Sequence, residues 1–262
     1  MASIKINNAD FYYELHGEGH PLVLIAGYNC DHSFWLPLLD KLCKNFQVLI
    51  FDNRAVGRTI DENIPLTAEL LAHDVISLAD QLNLKNPHIV GHSMGGSIAQ
   101  LVAVLYPEKI NKLGILCSTA KWREAVLLCM RSSLAMREKN IDMNLILDSV
   151  VPWIFGNEFL KKADNIALFK QMTLQNPYFQ TLNNQMRQYY LLQQLDVRDL
   201  INKIQTPTLV AYGTEDILAL PYESQYLSKT IPNAQLMEFE CAHGVVFEVT
   251  DKIANALVNF LN

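Results

Sequence analysis

Apolar positions along this chain follow two alternating rhythms. Residues 21–26 and 46–51 are short, nearly continuous apolar runs, as expected of strands buried on both faces, and residues 110–117, 206–213 and 234–240 read as further strands. Between them, residues 33–44, 67–84 and 97–105, a segment beginning near Pro221, and residues 247–261 carry helical spacing. Residues 3–14 differ: they alternate polar and apolar and turn at Asn7-Asn8, which predicts an antiparallel hairpin. Strands alternating with helices predict an α/β protein with a mostly parallel central sheet and helices on both faces. From Thr119 to Lys203 the strand rhythm stops. Helical stretches remain, punctuated at Pro152, Gly156-Asn157 and Asn176-Pro177. The reading is therefore a body formed by residues 1–118 and 204–262, with residues 119–203 as a helical cap inserted into it. Neither internal repeats nor low-complexity tracts interrupt this pattern.

One stretch adds chemistry to the pattern. A short apolar run ends in Gly91-His92-Ser93-Met94-Gly95, and a helix of small residues follows at once. Strand, sharp turn and helix are the context in which Gly-x-Ser-x-Gly marks a nucleophile elbow, with the serine hydroxyl raised above the sheet edge. Of the 11 glycines, seven (Gly27, Gly57, Gly91, Gly95, Gly96, Gly213 and Gly244) lie just after predicted strands. In an open parallel sheet, ligands bind outside the carboxyl ends of the strands, and close backbone approach there favours glycine.

A serine hydroxyl needs a base, and the base needs an orienting group. Among seven histidines, His243 in Cys241-Ala242-His243-Gly244 follows the last strand, at the same sheet edge as Ser93. His92 occupies the variable position of the elbow, where its ring is expected to point away from the reacting atom. His73 falls mid-helix, His88 opens the elbow strand, His16 and His20 lie near the hairpin, and His32 reads as a capping or rim residue. The loop Gly213-Thr214-Glu215-Asp216 follows the penultimate strand and supplies Asp216 as the orienting acid, with Glu215 as its substitute. The order Ser93, Asp216, His243 is the one this kind of hydrolase uses. Two backbone donors are needed for a developing oxyanion. The Met94 N–H follows the nucleophile, and the turn after Ile25-Ala26-Gly27 offers the Tyr28 N–H.

Composition narrows the partners. Half of the 262 residues are hydrophobic and 18% are charged, enough for a sizeable core and too apolar for disorder. A net charge of −6 argues against nucleic acid. No apolar run is long enough to span a membrane, and the N-terminus lacks a signal-peptide core. The five cysteines are scattered and never spaced Cys-x-x-Cys, which suits reduced thiols in the cytoplasm and neither a disulfide framework nor a metal site. Neither a metal nor a cofactor is expected.

These landmarks together resemble the α/β-hydrolase superfamily over essentially the full length of the chain. The matching segments are Leu24-Ile25-Ala26-Gly27-Tyr28, Asp52-Asn53-Arg54-Ala55-Val56-Gly57-Arg58, Gly91 to Gly96, Gly213 to Asp216, and Ala242-His243-Gly244. Within the superfamily the chain is similar to small capped bacterial hydrolases such as carboxylesterases, enol-lactonases, aminoacrylate-type hydrolases and carbon–carbon bond hydrolases. It departs from them at Ala26, where histidine is usual, and at Ala55, where glycine is common and its absence suggests altered loop geometry.

The resemblance implies a serine hydrolase that cleaves a carboxylic ester, thioester or lactone through an acyl-enzyme on Ser93. Carbon–carbon cleavage by the same triad, and a ligand receptor built on a hydrolase scaffold, are the alternative readings. Tyr28, Trp122, Trp153 and Phe155 are candidates to line a substrate pocket. Residues 119–203 carry 11 Lys+Arg against 8 Asp+Glu, in a chain of net −6. Such a basic cap could steer an anionic substrate or an acidic carrier protein, or could simply be solvated surface. The oligomeric state has no signature in the sequence.

Overall fold

The strand His20–Ile25 shows why this chain layers as it does. Leu22 and Leu24 pack into a cluster on one face, while Val23 and Ile25 pack into a second cluster on the other. Period-two alternation inside a continuous apolar run therefore buries both faces. In the computed structural model, which describes residues 2–262, the strands are β1 (Ala2–Ile6), β2 (Ala9–His16), β3 (His20–Ile25), β4 (Phe46–Phe51), β5 (Ile60–Asp61), β6 (His88–His92), β7 (Leu113–Leu116), β8 (Thr208–Gly213) and β9 (Ala234–Phe239). They form one sheet in the order β1-β2-β4-β3-β6-β7-β8-β9, with β5 paired to β2. From β4 through β9 every neighbouring pair is parallel, and β1 and β2 form an antiparallel hairpin that joins β4 antiparallel. Asn7 and Asn8 both take positive φ (48° and 59°), the conformation a two-residue hairpin turn needs.

Helices cover both faces. On one lie α1 (Leu36–Leu42) and α11 (Thr250–Leu261), the latter just after the single turn α10 (Val245–Glu248). On the other lie α2 (Ala68–Gln81) and α3 (Met94–Leu105). The closing helix expected over residues 247–261 is thus divided at Val249, whose φ of −133° and ψ of 40° leave the helical region.

Between β7 and β8 come α4 (Glu124–Glu138), α5 (Met143–Ile154), α6 (Asn157–Leu160), α7 (Ala163–Gln175) and α8 (Leu182–Gln194); α9 (Pro221–Thr230) follows β8. The insertion shares the core of the body: Trp122, Val126, Leu134, Tyr189, Leu191 and Leu192 join the cluster built by α2, α3 and the sheet. Polar ties add to this contact. Arg187 on α8 forks onto Asp61 at 3.0 and 2.7 Å, which fixes both partners in one geometry.

None of the described helices is long and apolar enough to cross a membrane.

Candidate active site

The turn from β6 into α3 has the shape its sequence requires. Ser93 has φ 55° and ψ −123°, a region normally closed to residues with a side chain. Such geometry costs about 1–3 kcal/mol and persists only where the surroundings enforce it. They do so here by crowding. A Cβ on Gly91 would lie 2.1 Å from the Gly95 carbonyl oxygen, and one on Gly95 would lie 2.1 Å from that of Ile25. The Ser118 hydroxyl donates to the Ser93 carbonyl at 2.7 Å and pins the turn from below.

Two more loops meet this turn at the same sheet edge. Asp216 follows β8 and is 1% exposed; its Oδ1 accepts the Leu218 and Ala219 N–H groups at 2.8 and 2.9 Å. Its Oδ2 lies 2.9 Å from His243 Nδ1, and His243 Nε2 lies 2.9 Å from Ser93 Oγ. Residues 123 positions and 27 positions apart are thereby joined into one hydrogen-bonded chain, with His243 and Ser93 only 5% and 6% exposed. Glu215, the substitute acid, turns elsewhere: its Oε2 accepts the Asn157 N–H at 2.8 Å.

The Met94 N–H heads α3, and the positive end of that 12-residue helix lies at Ser93. Across from it, Gly27 presses close enough that a Cβ there would sit 3.0 Å from Ser93 Cβ. Gly27 to Cys30 forms a turn closed by the Cys30 N–H on the Gly27 carbonyl at 3.3 Å. Among the described residues, neither the Met94 nor the Tyr28 N–H donates a hydrogen bond.

His92 does more than its place in the motif suggests. Its Nε2 donates to the His243 carbonyl at 2.9 Å, and its ring lies 4.9 Å from the His243 ring. Burial, then the neighbouring His243, pull its pKa down to about 3, so the ring is neutral at ordinary pH. His32 is likewise no rim residue. Asp31 provides the cap, and the His32 N–H and Nδ1 both reach Asp52 Oδ1 at 2.7 Å. Burial opposes its charge, but Asp52, Asp31 and Glu14 outweigh that and raise its pKa.

Asp31, His32 and Asp52 also form the one histidine–carboxylate group among the described residues compact enough for a cation. Its carboxylates are committed to donors from Ser33, Asn176, His32 and Arg58, so the donor set calls for no metal. Ala55 keeps the glycine-type backbone, with φ 64°, so the expected change of loop geometry is absent.

The aromatic candidates are dispersed. Trp122 is 2% exposed within the core cluster shared with α2 and α3, which leaves it packed as core. Phe155 stacks on Phe159 at 4.2 Å and lies edge-on to Phe169 and Phe247, beside the His243 loop. Trp153 is half-buried at the end of α5, and Tyr28 is partly buried against the core.

Sequence reasoning missed His92 as a brace, Gln188 and Glu248. Glu248 accepts the Ala242 N–H at 3.0 Å and the Gly156 N–H at 2.9 Å, tying the His243 loop to the insertion.

The family model described as "alpha/beta hydrolase fold" matches residues 20–249. A relative named "Putative carbamate hydrolase RutD", from Azorhizobium caulinodans, is 27% identical over 96% of this chain and 94% of its own. The enol-lactonase from Burkholderia xenovorans LB400 superposes with a TM-score of 0.88 at 24% identity, covering 99% of both chains. MGS-M2, an alpha/beta hydrolase enzyme from a Medee basin deep-sea metagenome, gives a TM-score of 0.91 at 24% identity, over 99% of this chain and 97% of its own.

Proposed function

The chain belongs to the alpha/beta hydrolase family, and from that premise we propose that it is a serine hydrolase acting on a carboxylic ester, thioester or lactone of small to medium size. The observation that carries this reading is the continuous Ser93–His243–Asp216 hydrogen-bond chain, 2.9 Å at each link.

In the first half-reaction His243 Nε2 takes the Ser93 proton as Oγ attacks the substrate carbonyl. Negative charge then develops on the former carbonyl oxygen, where the Met94 and Tyr28 N–H groups stand ready to donate. His243 returns the proton to the leaving alcohol, thiol or lactone oxygen, and Ser93 holds the acyl group. Water, deprotonated by the same imidazole, attacks the acyl-enzyme and releases the acid. Asp216 holds the Nδ1–H tautomer and stabilises the imidazolium; its second oxygen is occupied by two backbone donors and cannot rotate into competition. Residues 119–203 act as the cap over this edge of the sheet.

A second reading takes a carbamate as substrate. It is supported by the RutD relative, whose match extends over nearly the whole of both chains. The same nucleophile would attack a carbonyl flanked by nitrogen and oxygen, and a panel of p-nitrophenyl esters and aryl carbamates separates the two.

Fluorophosphonate probe and p-nitrophenyl acetate test the common mechanism. Ser93→Ala is expected to fold normally, to lose labelling, and to lose turnover by at least about a thousandfold, since a triad without its nucleophile retains only binding and oxyanion contacts. Undiminished turnover in that variant would sink the proposal.

A further inference from the structure

Gln188 sits on α8 in the insertion, 0% exposed, far along the chain from any landmark of the site. Its Oε1 accepts the Asn29 N–H at 3.0 Å, and its Nε2 donates to the Arg54 carbonyl at 3.2 Å. One carboxamide thus bridges the turn after β3 and the loop after β4. We infer that Gln188 is a positioning residue that holds the turn Gly27 to Cys30 in the geometry the oxyanion needs; this rests on the serine hydrolase reading above.

The argument lies in the turn itself. It is closed by the Cys30 N–H on the Gly27 carbonyl, and its third residue, Asn29, has φ 60° while Tyr28 keeps a negative φ. That is the type II pattern, which differs from the commoner type I by a flip of the central peptide. A side chain in the left-handed region costs about 1–2 kcal/mol, and asparagine reduces this without abolishing it. Left alone, the turn has reason to relax to type I. The central peptide is held at both ends: its N–H by Gln188, and its Tyr28 carbonyl by the Cys30 thiol at 3.4 Å. The flip changes ψ of Tyr28 and φ of Asn29; the Tyr28 N–H, the oxyanion donor, lies on the preceding peptide of the same turn and shifts as that turn loosens. The loop touches the nucleophile, which a Gly27 Cβ would approach to 3.0 Å. An error of about 1 Å in such a donor is enough to cost two orders of magnitude in rate.

The bond is not what keeps the insertion in place. Arg187, its neighbour, grips Asp61 and the Ile64 carbonyl, and Gln180 donates to the Ala55 carbonyl at 2.5 Å. Attachment and positioning can therefore be separated. The oxyanion turn is set from the insertion, so displacement of α8 would disarm the site before it exposed it.

Gln188→Met, similar in shape and without hydrogen bonds, is compared with wild type and with Gln180→Met, all normalised by active-site titration. For Gln188→Met, kcat on p-nitrophenyl acetate is expected to fall about a hundredfold, with KM within threefold and the fluorophosphonate labelling rate falling in parallel. The pKa read from its kcat/KM profile should stay where wild type has it, because His243 and Asp216 are untouched. Gln180→Met should keep kcat within threefold. If Gln188→Met does not fold, Gln188→Ser admits water to the freed backbone groups and carries the same expectation. A kcat within threefold of wild type, a loss expressed in KM, or an equal loss in Gln180→Met would overturn the inference. Wild type that neither labels nor turns over the ester would instead overturn the serine hydrolase reading beneath it.

Discussion

Strain at single residues is concentrated where the chain passes the sheet edge. Ser93, Asn29, Ala55 and Cys117 all carry positive φ (55°, 60°, 64° and 47°), and each follows a strand of the parallel sheet within a few residues. At Ala55 the opposing effects can be weighed. Removing its Cβ relieves about 1–2 kcal/mol of left-handed strain. It also gives up one buried methyl, about 0.8 kcal/mol, and adds unfolded-state freedom worth about 0.4–1 kcal/mol. Ala55→Gly is therefore expected to leave unfolding free energy within about 1 kcal/mol of wild type, whereas an ordinary buried Ala→Gly is destabilising. Ala55→Val, β-branched in the same backbone, should cost at least about 2 kcal/mol. Urea unfolding of the two variants checks both signs.

At the scale of elements, the insertion and the body meet through backbone groups. Glu248 at the end of α10 accepts N–H groups from Ala242 and from Gly156, and Gly244 donates its own N–H to the Ile154 carbonyl at 2.8 Å. Burial raises the Glu248 pKa, then the neighbouring Glu215 adds to the rise, against the pull of the Gly156 and Ala242 donors. A carboxylate with both oxygens engaged by N–H donors cannot be replaced by an amide without turning one NH2 against a donor. Glu248→Gln is expected to lower kcat about tenfold by loosening the His243 loop, while Ser93 remains reactive to the probe at a reduced rate. Unchanged kcat would show that the loop is held without it. A residue two positions from the nucleophile in a motif can be read from a sequence; this contact joins positions 92 apart and has no local signature.

Across the whole molecule, histidines set the response to pH. Burial, then His20 and Lys112, bring the His88 pKa to about 4, and His92 stands at about 3. Unfolded histidine titrates near 6.5, so between pH 6.5 and 4 the unfolded chain binds protons that the native state refuses. Stability contributed by these two rings is present above pH 6.5 and is lost on acidification through that window, by an amount on the order of a few kcal/mol. His32 has the opposite sign: its raised pKa stabilises the fold at low pH and ceases to do so as pH rises past its native value. Thermal unfolding of wild type should therefore show Tm falling from pH 6.5 toward 4, and His92→Gln should flatten part of that slope. A flat acid limb in wild type would contradict the assignment.

Much of the fold was already legible in the sequence. Runs such as 21–26 and 46–51 alternate faces with period two, helix spacing repeats within a few residues, and both are consequences of local backbone geometry. The elbow was legible for the same reason as far as Gly91, whose crowding comes from Gly95 within one strand–turn–helix, whereas Gly95 is crowded by Ile25 of β3. The bonding partners of His92, Gln188, Glu248 and His32 were not legible. Each depends on a partner brought near only by the assembled sheet and the docked insertion, as with Gln188 and Asn29, 159 positions apart. Periodicity determined the strands and helices, and the motif with its loop residues pointed to the chemistry proposed here and to one edge of the sheet; only the tertiary structure decided what holds those side chains in register, because through-space hydrogen bonds leave no period along the chain.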